Sequence, residues 1–237
     1  MITFQNLGSL GRLGNQLFQI AAVVGYAEKY NQEWAFSSWD YGQYFKTPIN
    51  PTDFQIKTTI NDPDSLSYTD IPEYLPEMGN VNLYGYFQSE KYFIESKDII
   101  LNMFKTEQNN IDAGFIHIRR GDYLNCPDIH TNISLDYYKN GMDELGFDKY
   151  LCFSDDIPWA IENIHDNRVE FIKDTSEIED LRLMQRCKGA VIANSSFSWW
   201  GAYLSESNDV IIPKNWYGPA AGSFKIEDKC CDGWKIS

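Results

Sequence analysis

The sequence predicts an α/β protein with parallel sheets, divided into two lobes. Short apolar runs alternate with stretches of helical periodicity along the 237 residues, which is typical of βαβ units. A glycine-rich turn in the first half and a serine-rich turn in the second half each stand between a predicted strand and a predicted helix. Because free backbone N–H groups at a helix start favour anions, we expect one phosphate-facing turn in each lobe.

Composition bounds the kind of protein and its partners. Hydrophobic residues make up 43% of the chain and aromatic residues 15%, as in a protein that folds into a packed core. The net charge of -14 argues against a nucleic-acid partner, because nucleic acids are bound by basic surfaces. An anionic ligand must therefore find a local positive pocket. An acidic exterior also suits a neutral ligand, or it serves only solubility.

Cysteine usage and hydropathy indicate the compartment. The five cysteines show no regular metal-binding spacing, and their odd number fits a disulfide framework poorly. No apolar run approaches the roughly 18 residues of a membrane span, and the N-terminus lacks the pattern of a signal peptide. We therefore expect reduced thiols, no membrane span and a soluble, cytoplasmic protein.

The first lobe is predicted from the strand and helix patterns of residues 1–108. Met1 to Phe4 reads as a strand, glycines 8, 11 and 14 as a turn, and the chain from about Asn15 as a helix. The turn lacks the dinucleotide fingerprint Gly-x-Gly-x-x-Gly, so it either faces an anion or is needed only for tight packing. Residues 81–88 alternate like a strand, a helix follows, and the polar stretch 105–112 marks the lobe boundary.

The second lobe, residues 109–237, contains the most informative stretch. The apolar run Phe115 to Ile118 reads as a buried strand that ends in Arg119, Arg120, Gly121 and Asp122. Ligands of open α/β sheets gather at the carboxyl ends of such strands, and a guanidinium fork matches a phosphate. The pair Arg119 and Arg120 therefore predicts a pyrophosphate clamp. The alternative is a surface turn with a local salt bridge.

Three further features of the second lobe carry polar groups. Tyr150 to Phe153 reads as a strand that ends in Ser154-Asp155-Asp156, and these acids either bind ribose or base hydroxyls or cap the helix that Pro158 predicts. The stretch 176–187 reads as a helix in which Asp180 complements the helix dipole. The strand 190–193 runs into Ser195, Ser196 and Ser198, a predicted phosphate-binding turn before a helix. Residues 210–213 read as the last strand.

Three motifs resemble those of a known family, the α-1,2-fucosyltransferases. His117-x-Arg119-Arg120-Gly121-Asp122-Tyr123 is similar to their first motif, and related motifs occur in α-1,6- and protein O-fucosyltransferases. Gly11-Arg12-Leu13-Gly14-Asn15-Gln16 is similar to their opening, and Asn194-Ser195-Ser196-Phe197-Ser198-Trp199-Trp200 to their C-terminal serine motif. The three occur in the expected order over most of the chain, which makes the resemblance specific.

The resemblance implies a GT-B architecture, two Rossmann-like lobes facing across a cleft, with the donor mainly in the C-terminal lobe. It implies an inverting transfer of L-fucose from GDP-β-L-fucose to a galactose 2-hydroxyl of a glycan, with no metal and no other cofactor. Animal members are membrane-anchored Golgi proteins, so this chain looks like a soluble bacterial or viral type. A different sugar nucleotide, or a non-catalytic nucleotide-sugar or glycan-binding protein, remain the alternatives.

The resemblance also implies roles for individual residues. Arg119 stabilises the departing diphosphate, and Asp122 is either a general base or an orienting group. His117 stands two residues before Arg119, so on a strand the two side chains share a face, and His117 either hydrogen-bonds the sugar or diphosphate or is a buried core histidine. Arg120 holds the second phosphate or braces Asp122, and Asp180 accepts hydrogen bonds from guanine. The remaining predicted donor-binding residues are Arg12, Asn15, Asp156, Ser195, Ser196, Phe197 and Ser198.

Overall fold

A computed structural model describes residues 1–36, 38–47, 55–106 and 110–237. The chain divides into two compact units, Met1–Lys105 and Thr106–Ser237. The predicted boundary between residues 108 and 109 lies outside the described residues. Each unit has its own parallel sheet, so the prediction of an α/β protein with parallel sheets is confirmed. That the lobes face each other across a cleft stays a prediction.

The first unit is built on a three-stranded sheet with the order β1-β3-β2. Its strands are β1 (Ile2–Thr3), β2 (Thr58–Asn61) and β3 (Val81–Tyr84), and its helices are α1 (Leu13–Lys29) and α2 (Lys97–Phe104). Helix α1 begins after the glycine-rich turn, as its apolar spacing predicts, and is buried along most of its length. The turn therefore stands at the carboxyl edge of this sheet.

Strand β3 ends four residues earlier than its alternating pattern predicts. Gly85 has a φ of 150° and Phe87 a φ of 48°, and neither value continues a strand. The carboxylate of Asp62 accepts the backbone N–H groups of Tyr86 (3.2 Å) and Phe87 (2.8 Å), which closes a turn here. Side-chain alternation alone did not reveal this turn.

The second unit is built on a six-stranded parallel sheet with the order β6-β5-β4-β7-β8-β9. Its strands are β4 (Ile111–Ile118), β5 (Tyr150–Ser154), β6 (Val169–Phe171), β7 (Cys187–Val191), β8 (Val210–Ile212) and β9 (Lys235–Ile236). Its helices are α3 (Leu135–Leu145), α4 (Ile157–Asn163), α5 (Glu177–Met184) and α6 (Ser196–Ser205). The strand order reverses between β4 and β7, as in doubly wound nucleotide-binding sheets.

Two short strands were not predicted. The expected last strand, residues 210–213, is β8, but β9 follows it and pairs Lys235 with Ile211. Strand β9 has only two residues, both exposed, so it shows no alternation. Strand β2 lies in a stretch that shows little periodicity in the sequence.

Helix α3 fixes the ends of the two strands on one side of the reversal. Gly141 lies against β7 and β8, and a Cβ there would come within 2.8 Å of Val191 Cγ1 and 3.4 Å of Ile211 Cδ1. The Tyr137 hydroxyl is 2.9 Å from the carbonyl oxygens of both Ile192 and Ile211. The helix thus packs directly on the sheet that positions the site.

In the part of the chain that the structure describes, no helix combines the length and the hydropathy that crossing a bilayer demands.

We expect Gly141→Ala to destabilise the protein. Overpacking costs about 1–3 kcal/mol, and the better helix propensity of alanine recovers roughly 0.5–1 kcal/mol of that. Because Val191 is β-branched and cannot rotate away, the free energy of unfolding should fall by about 1 kcal/mol or more. Urea unfolding followed by tryptophan fluorescence measures it.

The neighbouring exposed residue Asn140 provides the matched control. Asn140→Ala adds the same helix preference without a contact to the sheet, so stability should be unchanged or slightly higher. Equal stability of the wild type and Gly141→Ala would contradict the close packing of α3.

Candidate functional site

The site forms where the carboxyl ends of β4 and β7 lie side by side. Ile116 of β4 pairs with Val191 of β7, and the sheet order reverses between these two strands. A crevice opens at such a reversal because the connections leave the two strands in opposite directions. Arg119 and Arg120 follow β4 at this edge, and the serine turn follows β7.

Arg119 is held between two carboxylates. Its Nη2 atom lies 2.6 Å from Asp122 Oδ1 and its Nη1 atom 3.1 Å from Asp155 Oδ2. Its Cζ atom lies 5.3 Å from the centroid of the Tyr123 ring, and the side chain is 15% exposed. A guanidinium group fixed in this way is oriented before any ligand arrives.

The Arg120 side chain lies against Trp159 and Asp156 and not beside Asp122. Its Cζ atom lies 3.6 Å from the centroid of the Trp159 ring, and its Nε atom lies 3.5 Å from Asp156 Oδ2. The prediction offered Arg120 as a brace for Asp122, but Arg119 makes that contact. The reason is geometric, because neighbouring residues at a strand end project to opposite sides.

The sequence analysis offered Asp155 only as one of two acids that bind ribose or base hydroxyls or cap a helix, and did not predict its contact with Arg119. Its Oδ1 atom accepts the backbone N–H of Arg120 at 2.8 Å while Oδ2 contacts Arg119. A Cβ on Gly121 would lie 2.5 Å from Asp155 Oδ2, so the glycine makes room for this carboxylate. Asp156, which was predicted, caps α4 by accepting the Trp159 N–H at 3.3 Å. The adjacent acid pair was the available signal.

The first turn of α6 differs from those of the other helices of this unit. Helices α3, α4 and α5 are capped by the side chains of Ser134, Asp156 and Ser176. At α6 the N-cap residue Ser195 makes no side-chain cap, and the first turn contains no acidic residue. A helix start of this kind favours an anion, and phosphate binding by the serine turn stays a prediction.

The serines of the turn do not all face the crevice. Ser198 is fully buried, and its hydroxyl donates to the carbonyl oxygens of Ser195 (3.2 Å) and Ala193 (3.4 Å). It therefore stabilises the turn instead of presenting a hydroxyl to a ligand. Phe197 lies with its ring 5.7 Å from that of His117, which joins the turn to β4. Ser196 is the first residue of α6.

Asn194 connects three segments around the crevice. Its buried side-chain amide donates to the carbonyl oxygens of Thr131 (2.9 Å) and Trp216 (2.8 Å). The backbone carbonyl of Asn194 accepts a hydrogen bond from the Tyr123 hydroxyl at 3.0 Å, and the Arg119 guanidinium lies over the Tyr123 ring. The sequence analysis gave Asn194 no role, because an asparagine in a polar turn does not reveal distant partners.

An aromatic stack supports the same loop. The rings of Tyr123 and His130 lie 4.0 Å apart at an interplanar angle of 7°. Burial lowers the pKa of His130, the Asp122 carboxylate opposes this effect and the Arg119 guanidinium adds to it. The neutral form of the His130 imidazole is therefore favoured in this stack beside Arg119.

His117 is buried within β4. Burial, together with the neighbouring Arg119 charge, lowers the pKa of His117 from 6.5 to about 3. The side chain is only 5% exposed, and its Nδ1 atom has no hydrogen-bond partner among the residues that the structure describes. The imidazole is thus neutral near pH 7, which suits a hydrogen-bonding role better than that of a general acid.

Asp180 lies in the first turn of α5, which begins beyond the carboxyl end of β6. The Thr175 hydroxyl donates to its Oδ1 atom at 2.6 Å. Burial raises the pKa of Asp180, the Thr175 hydrogen bond lowers it, and the charges of Glu179 and Glu177 raise it. The residue therefore stands at the same edge of the sheet as the two arginines.

Arg12 and Asn15 belong to the first unit. Arg12 is the N-cap residue of α1 and is exposed, and the first turn of α1 contains no acidic residue. Asn15 Oδ1 accepts a hydrogen bond from Gln88 Nε2 at 2.6 Å. Gln16 Nε2 donates to the Gly11 carbonyl at 3.0 Å and Gln19 Nε2 to the Leu10 carbonyl at 2.8 Å, so α1 itself holds the glycine-rich turn.

Fold and site together define an α/β protein that gathers anion-binding groups at the reversal of a parallel sheet. A family model described as Glycosyl transferase family 11 matches residues 6–236. The chain therefore belongs to this glycosyltransferase family. Within the described ranges, no three His, Cys, Asp or Glu residues are grouped to hold a metal ion, and metal independence stays a prediction.

Individual relatives are known from bacteria and mammals. The chain is 32% identical to an alpha-1,2-colitosyltransferase of Escherichia coli over 186 residues, 66% of this chain and 62% of that protein. It is 26% identical to galactoside alpha-(1,2)-fucosyltransferase 1 of Bos taurus over 47% of this chain and 34% of that protein. The matches thus span less than two thirds of each relative.

Among solved structures, the chain is similar to POFUT1 in complex with GDP-fucose. The TM-score is 0.48 at 12% identity, over 87% of this chain and 94% of that chain.

We expect His117 to make the protein less stable in acid. The unfolded chain takes up a proton below pH 6.5, whereas the folded chain leaves His117 neutral down to pH about 3. The stability that neutral His117 contributes is complete above pH 6.5 and is lost as the pH falls through this window. The slope is roughly 1.4 kcal/mol per pH unit. Urea unfolding at several pH values measures it.

In His117→Gln this contribution to the slope should vanish, whatever the variant's absolute stability. His165→Gln, at an exposed position, is the control and should keep the wild-type slope. Identical slopes in the wild type and His117→Gln would show that the folded protein protonates His117 freely.

Proposed function

We propose that this protein transfers L-fucose from GDP-β-L-fucose to the 2-hydroxyl of a galactose in a glycan, with inversion at the anomeric carbon. The observation that supports it most is the placement of Arg119, held by Asp122 and Asp155 beside the uncapped start of α6. The identity of the sugar and of the linkage is inferred from the resemblance of three motifs to α-1,2-fucosyltransferases.

The chemistry requires a group that accepts the departing negative charge. As the bond from fucose to the β-phosphate breaks, charge grows on the diphosphate while the sugar becomes cationic. Donors already aimed at that charge lower the barrier because they need no reorganisation. In this proposal Arg119 binds the β-phosphate, and the first turn of α6 with Ser195 and Ser196 supplies backbone and hydroxyl donors.

The other charged residues act through Arg119 or its neighbours. Asp155 joins the Arg119 side chain to the Arg120 backbone, so it holds the end of β4 in one conformation. Asp122 forms an ion pair with Arg119, and we assign it the orienting role. Arg120, stacked on Trp159, ties β4 to α4 and reaches the second phosphate only after leaving that stack.

We assign to Asp180 the binding of the guanine base of GDP-fucose. The remaining contacts with the donor are assigned from the motif resemblance. A carboxylate suits the N1–H and N2–H2 donors of guanine, and Asp180 lies at the carboxyl edge of the sheet. His117, Asp156, Phe197, Arg12 and Asn15 are assigned to the donor site as well. Ser198 holds the turn in place.

A second donor is favoured by one observation. The Escherichia coli relative at 32% identity is named for colitosyl transfer, not fucosyl transfer. The same groups that bind the diphosphate would serve a colitosyl nucleotide equally well, so the sugar itself has to be tested.

The central test incubates the protein with GDP-fucose and lactose and measures product mass. We expect a fucosylated lactose from the wild type. In Arg119→Ala the loss of one charge-stabilising donor should lower kcat about 10²- to 10³-fold. Unchanged kcat in a folded Arg119→Ala variant would overturn the role of Arg119.

Lys149→Ala is the control for this variant. Lys149 is a half-exposed cation that pairs with Glu170 before the start of β5, at the opposite edge of the sheet, so activity should be kept. A chelator should leave turnover unchanged, and strict metal dependence would refute the metal-free scheme.

A product formed from GDP-colitose and not from GDP-fucose would show that colitose is the sugar transferred. If the protein does not bind GDP, the proposed transferase activity is wrong.

Asp180→Asn tests the reading of guanine. The amide keeps the size of the side chain but replaces one acceptor with a donor, so the affinity for GDP should fall about tenfold or more. The affinity for ADP should not fall in parallel. Calorimetric titration with both nucleotides decides it, and a parallel loss for GDP and ADP would show that Asp180 does not read the base.

A further inference from the structure

A hollow in the first unit is lined by none of the predicted site residues. Its volume is about 160 Å³, and its walls are the last two turns of α1 and two further segments, residues 68–71 and residues 91–96, the second of which is mostly 3₁₀ helix. Asn15 and Tyr26 are separated along α1 by roughly 17 Å at 1.5 Å per residue. The hollow therefore stands at the opposite end of α1 from the glycine-rich turn.

The close approach of chain that forms the hollow depends on a glycine. A Cβ on Gly25 would collide with the carbonyl oxygen of Tyr92 and come within 2.7 Å of Phe93 Cα. Because Gly25 has no side chain, the segment 91–93 packs directly on the helix. The hollow is thus bounded by backbone on this side, which gives it a firm wall.

Tyrosine rings line the hollow, and hydrogen bonds of their hydroxyl groups hold three of them in place. Tyr26 donates to the Pro72 carbonyl at 3.0 Å, and Tyr68 donates to Asp70 Oδ1 at 2.7 Å. The Tyr92 hydroxyl accepts the Thr69 N–H at 3.2 Å. The rings also pair, with centroids 4.8 Å apart for Tyr68 and Tyr92 and 5.0 Å apart for Tyr26 and Tyr30.

Among the described residues that line the hollow, charges of both signs are equal in number. Lys29 lies 5.6 Å from the Tyr30 ring and Lys91 lies 5.6 Å from the Tyr68 ring, while Asp70 and Glu95 line the hollow as carboxylates. All four of these side chains are on exposed residues. An anion would meet two carboxylates here, and a cation would meet two ammonium groups.

Apolar ligands and neutral polar ligands remain, and the cost of burying polar groups decides between them. An apolar ligand would cover charged groups without offering them hydrogen bonds, which is unfavourable. A neutral sugar ring offers hydroxyl groups that donate to carboxylates and accept from ammonium groups. Its C–H faces pack on aromatic rings, as other apolar faces do.

We propose that this hollow is a second carbohydrate site, which binds one neutral pyranose unit through the lining residues Tyr30, Tyr68, Asp70 and Lys91. It is far too small for a drug-sized ligand, which typically fills about 300–1,000 Å³, and so it fits a single sugar of a longer glycan. The site goes beyond the proposed transfer reaction and does not depend on it. It would retain a glycan on the first unit without taking part in chemistry.

The test uses protein with ¹³C-labelled tyrosine rings, titrated with lactose and with methyl β-galactopyranoside in the absence of any sugar nucleotide. We expect saturable shifts of the Tyr30 and Tyr68 ring signals, assigned by Tyr→Phe variants. The signal of Tyr150, which is buried in the second unit, should stay constant. In Asp70→Asn, which keeps the shape of the exposed acid, the affinity should fall about tenfold.

Asp98→Asn, an exposed acid of α2 that does not line the hollow, is the matched control and should bind like the wild type. Inorganic phosphate and methylammonium serve as ionic probes. Shifts caused by either ion and not by the sugars would overturn the proposal in favour of an ion site, and unchanged Tyr30 and Tyr68 signals with both sugars would overturn it outright. Since no donor is present, neither result bears on fucosyl transfer.

Discussion

The second unit depends on the position of β4, which is paired with β5 on one side and β7 on the other. Every charged group at the site is placed relative to the end of this strand. Arg119 and Arg120 follow it directly, Asp155 and Asp156 follow β5, and the uncapped helix α6 follows β7. Because the sheet order reverses at β4, these groups surround one crevice and are not covered by a crossover helix.

Gly121 and the Asp155 carboxylate together fix the position of Arg119 at the carboxyl edge of the sheet. Gly121 leaves space that Asp155 fills, and Asp155 then binds both the Arg119 side chain and the Arg120 backbone. A guanidinium group in an apolar crevice without such partners would cost solvation energy and would adopt several rotamers. The carboxylates reduce both costs, since they compensate the charge and fix the direction of the donors. The same contacts explain why Asp122 is suited to orient Arg119.

The sequence alone predicted the parts of this arrangement that are local in the chain. The apolar run of β4, the serine turn and the helix after it, and the helical spacing of α1 each follow from residue patterns within about ten positions. Asp155 and Asn194 could not be assigned in this way, because their partners lie 35 residues away at Arg120 and 63 residues away at Thr131. Strand β9 was missed since two exposed residues carry no periodicity. The hollow of the first unit joins three segments, of which the nearest two in the chain, residues 68–71 and 91–96, are 20 positions apart.

The charge balance of the site bears on which ligand it selects. Three carboxylates, Asp122, Asp155 and Asp156, face two guanidinium groups, so the immediate surroundings are not strongly positive, and the whole chain carries a net charge of -14. A small anion that meets Arg119 alone must compete with Asp122 and Asp155 for its donors. A larger anion that reaches Arg119 and the first turn of α6 together also gains the helix N–H groups, which no acidic side chain occupies. Under the proposed function, this charge balance favours an extended diphosphate over a single phosphate at the reversal between β4 and β7.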